Sequence, residues 1–131
     1  MPLLDDVAAY LEANSIGIVG VDIFAGKMPM SPDKAICLYE LPGYGPHVIL
    51  PMEQPGVKIR VRDVDSEVGI QAAMATAYSI KKLLHRKINL TLGSGVIYAR
   101  IDATGNPGWV GQDNKGRSII DVNFIMTKAE E

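Results

Sequence analysis

The hydrophobic period of the chain changes sharply between residues 57 and 87, and that change narrows the possible folds more than any other feature. Val57, Ile59 and Val61 alternate with Lys58, Arg60 and Arg62. Successive strand side chains point to opposite faces, so this run predicts a strand with one apolar face and one basic stripe. Directly after it, Asp63 to Ser66 supply capping groups for a helix predicted to run to about Lys87. Ile70, Ala73, Met74, Ala77, Ile80 and Leu84 share one face of that helix. Asp65 and Glu67 stand near its positive end, and Lys81, Lys82, Arg86 and Lys87 near its negative end. A half-apolar strand joined to a half-apolar helix buries both surfaces most simply when the helix lies on a sheet.

The flanking segments extend the same layering. Leu4, Val7, Ala8 and Leu11 keep helical spacing, with Pro2 at the start and Asn14, Ser15 and Gly17 at the end. Residues 18–24 are apolar but interrupted by Gly20, which suits a short strand or an ordered loop; Pro29 and Pro32 make residues 27–33 a connection. Ala35 to Leu41 is an unbroken apolar run, read as a buried strand with Cys37 as a small buried hydrophobe. Pro42-Gly43-Tyr44-Gly45-Pro46 opens a long loop reaching Pro55-Gly56. Leu92 to Ala103 is predicted as a strand with Ile97, Ala99, Ile101 and Ala103 on one face. After a turn at 104–108, Trp109 and Val110 suit a short strand. A second turn at 112–116 leads to a last strand, Arg117 to Thr127, with Ile120, Val122, Phe124 and Met126 on one face.

The expected fold is therefore α+β: a mostly antiparallel sheet with two α-helices packed on one face, residues 1–131 forming one domain. At 47% apolar and 21% charged residues, the chain has an ordinary globular balance and can bury a core without staples. The second sheet face would then carry Lys58, Arg60, Arg62, Asp121 and Asn123, with Ile119 and Ile125 among them. That mixture suits a subunit interface or a solvated face. Val48, Ile49, Leu50 and Met52 in the long loop form a further candidate contact, because an apolar loop is poor surface for a lone monomer.

Chemistry is hard to place. His47 and His85 have no sequence link to Cys37 or to a serine that would make a nucleophile–base pair. One cysteine and two separated histidines do not supply a structural zinc site, and Asp63, Asp65 and Glu67 lack the EF-hand pattern. Gly93-Ser94-Gly95 precedes a strand and no lysine follows, so a tight turn replaces a phosphate loop. No cofactor, metal or catalytic residue is expected. The net charge of −2 gives no electrostatic footprint for a dedicated nucleic-acid ligand. The Lys58/Arg60/Arg62 stripe could nonetheless meet acidic groups of a neighbour or the phosphates of passing DNA. The N-terminal sequence has no basic region followed by a long apolar stretch, and neither a secretion signal nor a membrane span is expected.

Several segments, in order, carry a resemblance. They are the helix Leu4-Asp5-Asp6-Val7-Ala8-Ala9-Tyr10-Leu11, then Val21-Asp22-Ile23-Phe24-Ala25-Gly26 and a proline-containing link. Ala35-Ile36-Cys37-Leu38-Tyr39-Glu40-Leu41-Pro42-Gly43 follows, a strand ending in Glu-x-Pro-Gly, and then the basic strand Pro55-Gly56-Val57-Lys58-Ile59-Arg60-Val61-Arg62. An alanine-rich helix comes next, and Gly111-Gln112-Asp113-Asn114-Lys115-Gly116-Arg117 with Val122-Asn123-Phe124 closes the chain. Taken together the chain resembles the phage minor capsid or tail-completion proteins related to tail terminators. It departs from their pattern at Val110-Gly111-Gln112, where a basic residue usually follows Leu-Gly.

The resemblance implies a small α+β virion subunit, present in the host cytoplasm during assembly, that forms a homo-oligomeric ring, commonly a hexamer. The ring sits on the head-proximal end of the tail tube, stops tube polymerisation and meets the head connector. DNA passes through its lumen without sequence-specific contact. Another neck protein, head-completion or connector adaptor, is the nearest alternative; a small cytosolic ligand-binding module is a more distant one.

Overall fold

The computed structural model describes residues 2–44, 51–64, 67–92 and 95–129. Helix α1 spans Pro2–Ala13 and α2 spans Glu67–Leu84. The strands are β1 (Ile23–Ala25), β2 (Ala35–Tyr44), β3 (Met52–Asp63), β4 (Lys87–Thr91), β5 (Ile97–Ala103), β6 (Gly108–Gln112) and β7 (Ser118–Ala129). They form one sheet in the order β1-β2-β3-β7-β5-β4, with β6 also on β7. All pairings are antiparallel except β1 with β2. The long strand β7 pairs with β3 along one side. On its other side it takes β6 at residues 118–121 and β5 at residues 124–128.

The α+β layering expected from the sequence is the observed one. Both helices lie on the same face, α1 against β1 and β2, α2 against β3, β5 and β7. Beneath them Leu4, Leu11, Ile36, Leu38, Val57, Ile59, Val61, Ile80, Leu84, Ile120, Val122 and Phe124 are buried in one cluster. Each such side chain stabilises the fold by roughly 1.5–3 kcal/mol through removal from water. Gly69 admits α2 to this position: a Cβ there would lie 2.2 Å from the Val64 carbonyl oxygen.

Three expectations are corrected. The central helix stops at Leu84, because Arg86 adopts a positive φ of 65° and donates its N–H to the Ile101 carbonyl, turning the chain into β4. The face of β5 is not Ile97, Ala99, Ile101 and Ala103 throughout. An irregularity between Tyr98 and Arg100 shifts the register, so that Tyr98 and Ile101 are buried and Ile97 is exposed. Tyr98 reaches across to α1, where its hydroxyl donates to Asp6 Oδ2 at 3.2 Å. Lastly, much of the stretch from Pro42 to Gly56 is strand: Leu41 pairs with Gly56 and Tyr44 with Gln54. Gly43 makes that close approach possible, with φ of +64° and a hypothetical Cβ only 2.2 Å from the Gln54 oxygen. No side chain fits there, which gives the Glu-x-Pro-Gly segment its physical meaning.

Candidate assembly interface

The register fixes which residues share the face turned away from the helices. Residues directly opposed in a ladder lie on the same side. Lys58 pairs with Asn123, Arg60 with Asp121, Arg62 with Ile119 and Gly56 with Ile125. The structure thus brings Lys58, Arg60, Arg62, Ile119, Asp121, Asn123 and Ile125 together on the second face. Met52, at the start of β3 opposite Ala129, falls on the same side by alternation. Val48, Ile49, Leu50 and His47 lie outside the described residues.

The three cations of the stripe have different surroundings. Arg62 is only 3% exposed. Its guanidinium donates to three backbone carbonyls, those of Asp33 at 3.1 Å and of Pro29 and Pro32 at 2.6 Å. These belong to residues 26–34, the crossover that the parallel β1–β2 pairing demands. Arg117 holds the same segment, donating to the Met30 carbonyl and to Asp33 Oδ1. The crossover therefore lies over one end of the second face. Ala35 and Cys37, whose ladder partners are Arg62 and Arg60, are fully buried there. Burial pushes the Cys37 thiol up, partly offset by the Tyr39 hydroxyl and Arg60. Tyr39 is pushed up to about 12, chiefly by burial and then by its contact with Cys37. Burial, followed by the Arg117 charge, lowers Arg62 from the ordinary guanidinium value. Arg62 is accordingly part of the protein's interior rather than of an accessible basic stripe.

Arg60 makes a bidentate pair with Asp121, at 2.9 and 3.0 Å, and stacks 5.8 Å from the Tyr39 ring centroid. The hydrogen bond to Asp121 outweighs burial and raises Arg60 further. Lys58 has no acidic partner among the described residues. Ile119 and Ile125 are half-buried, and Asn123 Oδ1 is buried without a hydrogen-bond partner among the described residues. Beyond Ile125 the face continues into Arg100 and Asp102, paired at 2.9 Å, around a shallow recess of about 320 Å³. The second face is thus closed by the crossover at one end and by a half-covered mixture of ion pairs and isoleucines elsewhere.

The turn at 112–116 forms as its composition suggests. Asp113 Oδ1 accepts the N–H groups of Lys115 and Arg117, and Oδ2 takes the Arg117 Nε at 2.7 Å. Burial raises the Asp113 carboxyl, but these donors overcome it and hold the group below its ordinary 3.8. Sequence reasoning missed Arg117, although an arginine directly after an Asx-type turn was a readable signal. His85, directly after α2, accepts the Ala103 N–H at its Nδ1, 2.9 Å away.

Among the described residues no group of three or more His, Cys, Asp or Glu side chains could hold a metal ion. Nor is any described helix long and apolar enough to cross a membrane.

The family model for bacteriophage tail terminator protein matches residues 10–130. The chain belongs to the bacteriophage tail terminator family. It is a structural protein of the phage tail. A comparison with curated proteins found no match. Among solved structures, a chain from the virion of a native gene transfer agent particle is similar, with a TM-score of 0.70 and 16% identity. The match covers 97% of this terminator and 94% of that chain, so the two share the fold from end to end.

Proposed function

We propose that this terminator acts as one domain, residues 1–131, in a closed ring of six copies on the head-proximal end of the tail tube. The ring would stop further addition of tube protein, offer its far side to the head connector and let DNA pass through its lumen without sequence-specific contact. The terminator-family match over nearly the whole chain carries this reading. The half-closed second face supports it: Ile119 and Ile125 beside Lys58, Asn123 and the Arg60–Asp121 pair suit a packed protein contact. We assign Met52, Lys58, Arg60, Ile119, Asp121, Asn123 and Ile125, with Val48, Ile49 and Leu50, to contacts with the tube or a neighbouring subunit. Arg62 is assigned to holding the crossover beneath that surface.

Negative-stain microscopy of a lysate lacking this gene product tests the reading. Overlong or irregular tails beside tailless heads are expected, with normal length restored by the purified protein. Tails of normal length that merely fail to join heads would move the chain to an adjoining neck position. Intact infectious particles would remove the virion role.

A further inference from the structure

A ring subunit needs two different patches that meet head to tail. The two ends of this sheet differ in charge. Residues 1–26 carry Asp5, Asp6, Glu12 and Asp22 and no lysine or arginine. Residues 68–101 carry Lys81, Lys82, Arg86, Lys87 and Arg100 and no acid. The fold keeps these segments apart: β1 and β4 are the opposite termini of the strand order, with α1 packed at the first and α2 leading into the second.

Each end also offers shape. Between α1 and β1 runs a groove of about 550 Å³, lined by Ala9, Val19, Phe24 and Ala25 and flanked by Asp5 and Glu12. Helical spacing puts Asp5, Ala8, Ala9 and Glu12 on one face of α1. Ile18 and Val21 are exposed beside it. Glu12 and Asp22 accept backbone N–H groups, from Val19 at 2.9 Å and Ile18 at 2.6 Å, and meet no cation among the described residues. At the other end Tyr78, Lys81, Lys82, His85 and Arg86 line a recess of about 410 Å³. Ile88 stands next to it, 69% exposed. Lys82, Arg86 and Lys87 meet no acidic group among the described residues.

We infer that the occupant of the α1–β1 groove is a second copy of this chain, which presents its basic α2–β4 end with Ile88 toward the groove. Asp5 and Glu12 of one copy then face Lys82 and Arg86 of the next, and the contact repeats in one direction round the ring. Complementary ends favour this head-to-tail pairing, while like ends repel. The inference rests on the ring reading given above.

Two charge-reversed variants test it, D5K/E12K and K82E/R86E, each checked for an unchanged fold by circular dichroism. They are added to tails that lack the terminator, and ring occupancy is read by microscopy. Should D5K/E12K unfold, D5K/A9K replaces it, which keeps Glu12 on the Val19 N–H and still makes this flank net basic. Either variant alone is expected to lose ring occupancy by at least about tenfold. A one-to-one mixture, or all four substitutions in one chain, is expected to restore it, because each reversed end then meets its complement. Wild-type occupancy by either variant alone would overturn the inference and leave the ring intact. Loss without rescue by the mixture would overturn it also, by assigning these charges to a different partner. Absence of any ring with the wild-type chain would overturn the ring reading itself.

Discussion

The two faces of one sheet are closed by different physics. On the helix side Val57, Ile59, Val61, Ile120, Val122 and Phe124 are buried by apolar packing alone. On the other side the same strands present Lys58, Arg60, Arg62, Ile119 and Asp121. There closure depends on guanidinium groups: Arg62 on three carbonyls, Arg117 on the crossover and the Asp113 turn, Arg60 on Asp121. Apolar packing is non-directional and covers a whole face. Guanidinium forks are directional, so they pin the crossover at one end and leave the rest of the face partly open. This divides the labour between a face that stabilises the fold and one that we propose is left for contact.

The comparison can be broken most strongly on the helix side. Ile80→Ala removes a fully buried side chain and is expected to cost about 2–5 kcal/mol, measured by denaturant unfolding. Cys37 should stay protected from thiol reagents in the native state of that variant. Arg62→Ala is expected to cost somewhat less, about 2–3 kcal/mol, by leaving the three crossover carbonyls without their donor. It should also do what the core variant does not: speed native-state labelling of Cys37 by releasing the segment above it. Equal labelling rates in the two variants would mean that the crossover does not guard the thiol. Arg62→Lys should restore little, since one ammonium cannot span three carbonyls.

Smaller effects sharpen the picture. A double-mutant cycle on Arg60→Gln and Asp121→Asn should give a coupling of about 0.5–1 kcal/mol, as both side chains are partly exposed. The Asp113 carboxyl is held below its ordinary value, so its contribution is fully present above about pH 4 and is lost as pH falls further. Asp113→Asn should therefore flatten the acid limb of a stability-against-pH curve, lowering stability most near neutrality and least at the acid end, where the wild-type contribution is already lost.

Much of this division was legible in the residues. Period-2 alternation at 57–62 and at 119–126 fixed which side chains face the helices, and the ladder pairs them as the pattern requires. Both helices followed from apolar spacing. What failed was local. Helical charge placement could not show that Arg86 breaks out at positive φ, because α2 runs into another basic, partly apolar segment. The face of β5 was lost to one irregularity, which a period-2 pattern cannot register. Alternation placed Lys58, Arg60, Arg62, Ile119, Asp121, Asn123 and Ile125 on one face, as the ladder pairs them, while Val48, Ile49 and Leu50 lie outside the described residues. The inward turn of Arg62 was invisible, since alternation gives a side chain's face and not the cover supplied by residues 26–34. The opposed charges of the two sheet ends were present in the sequence, but their significance needed the strand order, which places β1 and β4 farthest apart.

The most direct test of the central claim is a cryo-electron microscopy reconstruction of the head-proximal end of purified tails. The expected result is a closed ring of this chain on the last tube ring, with the second sheet face or the 45–50 segment buried against its neighbours. A reconstruction in which the tube ends without this chain, or in which the chain sits elsewhere in the particle, would contradict it.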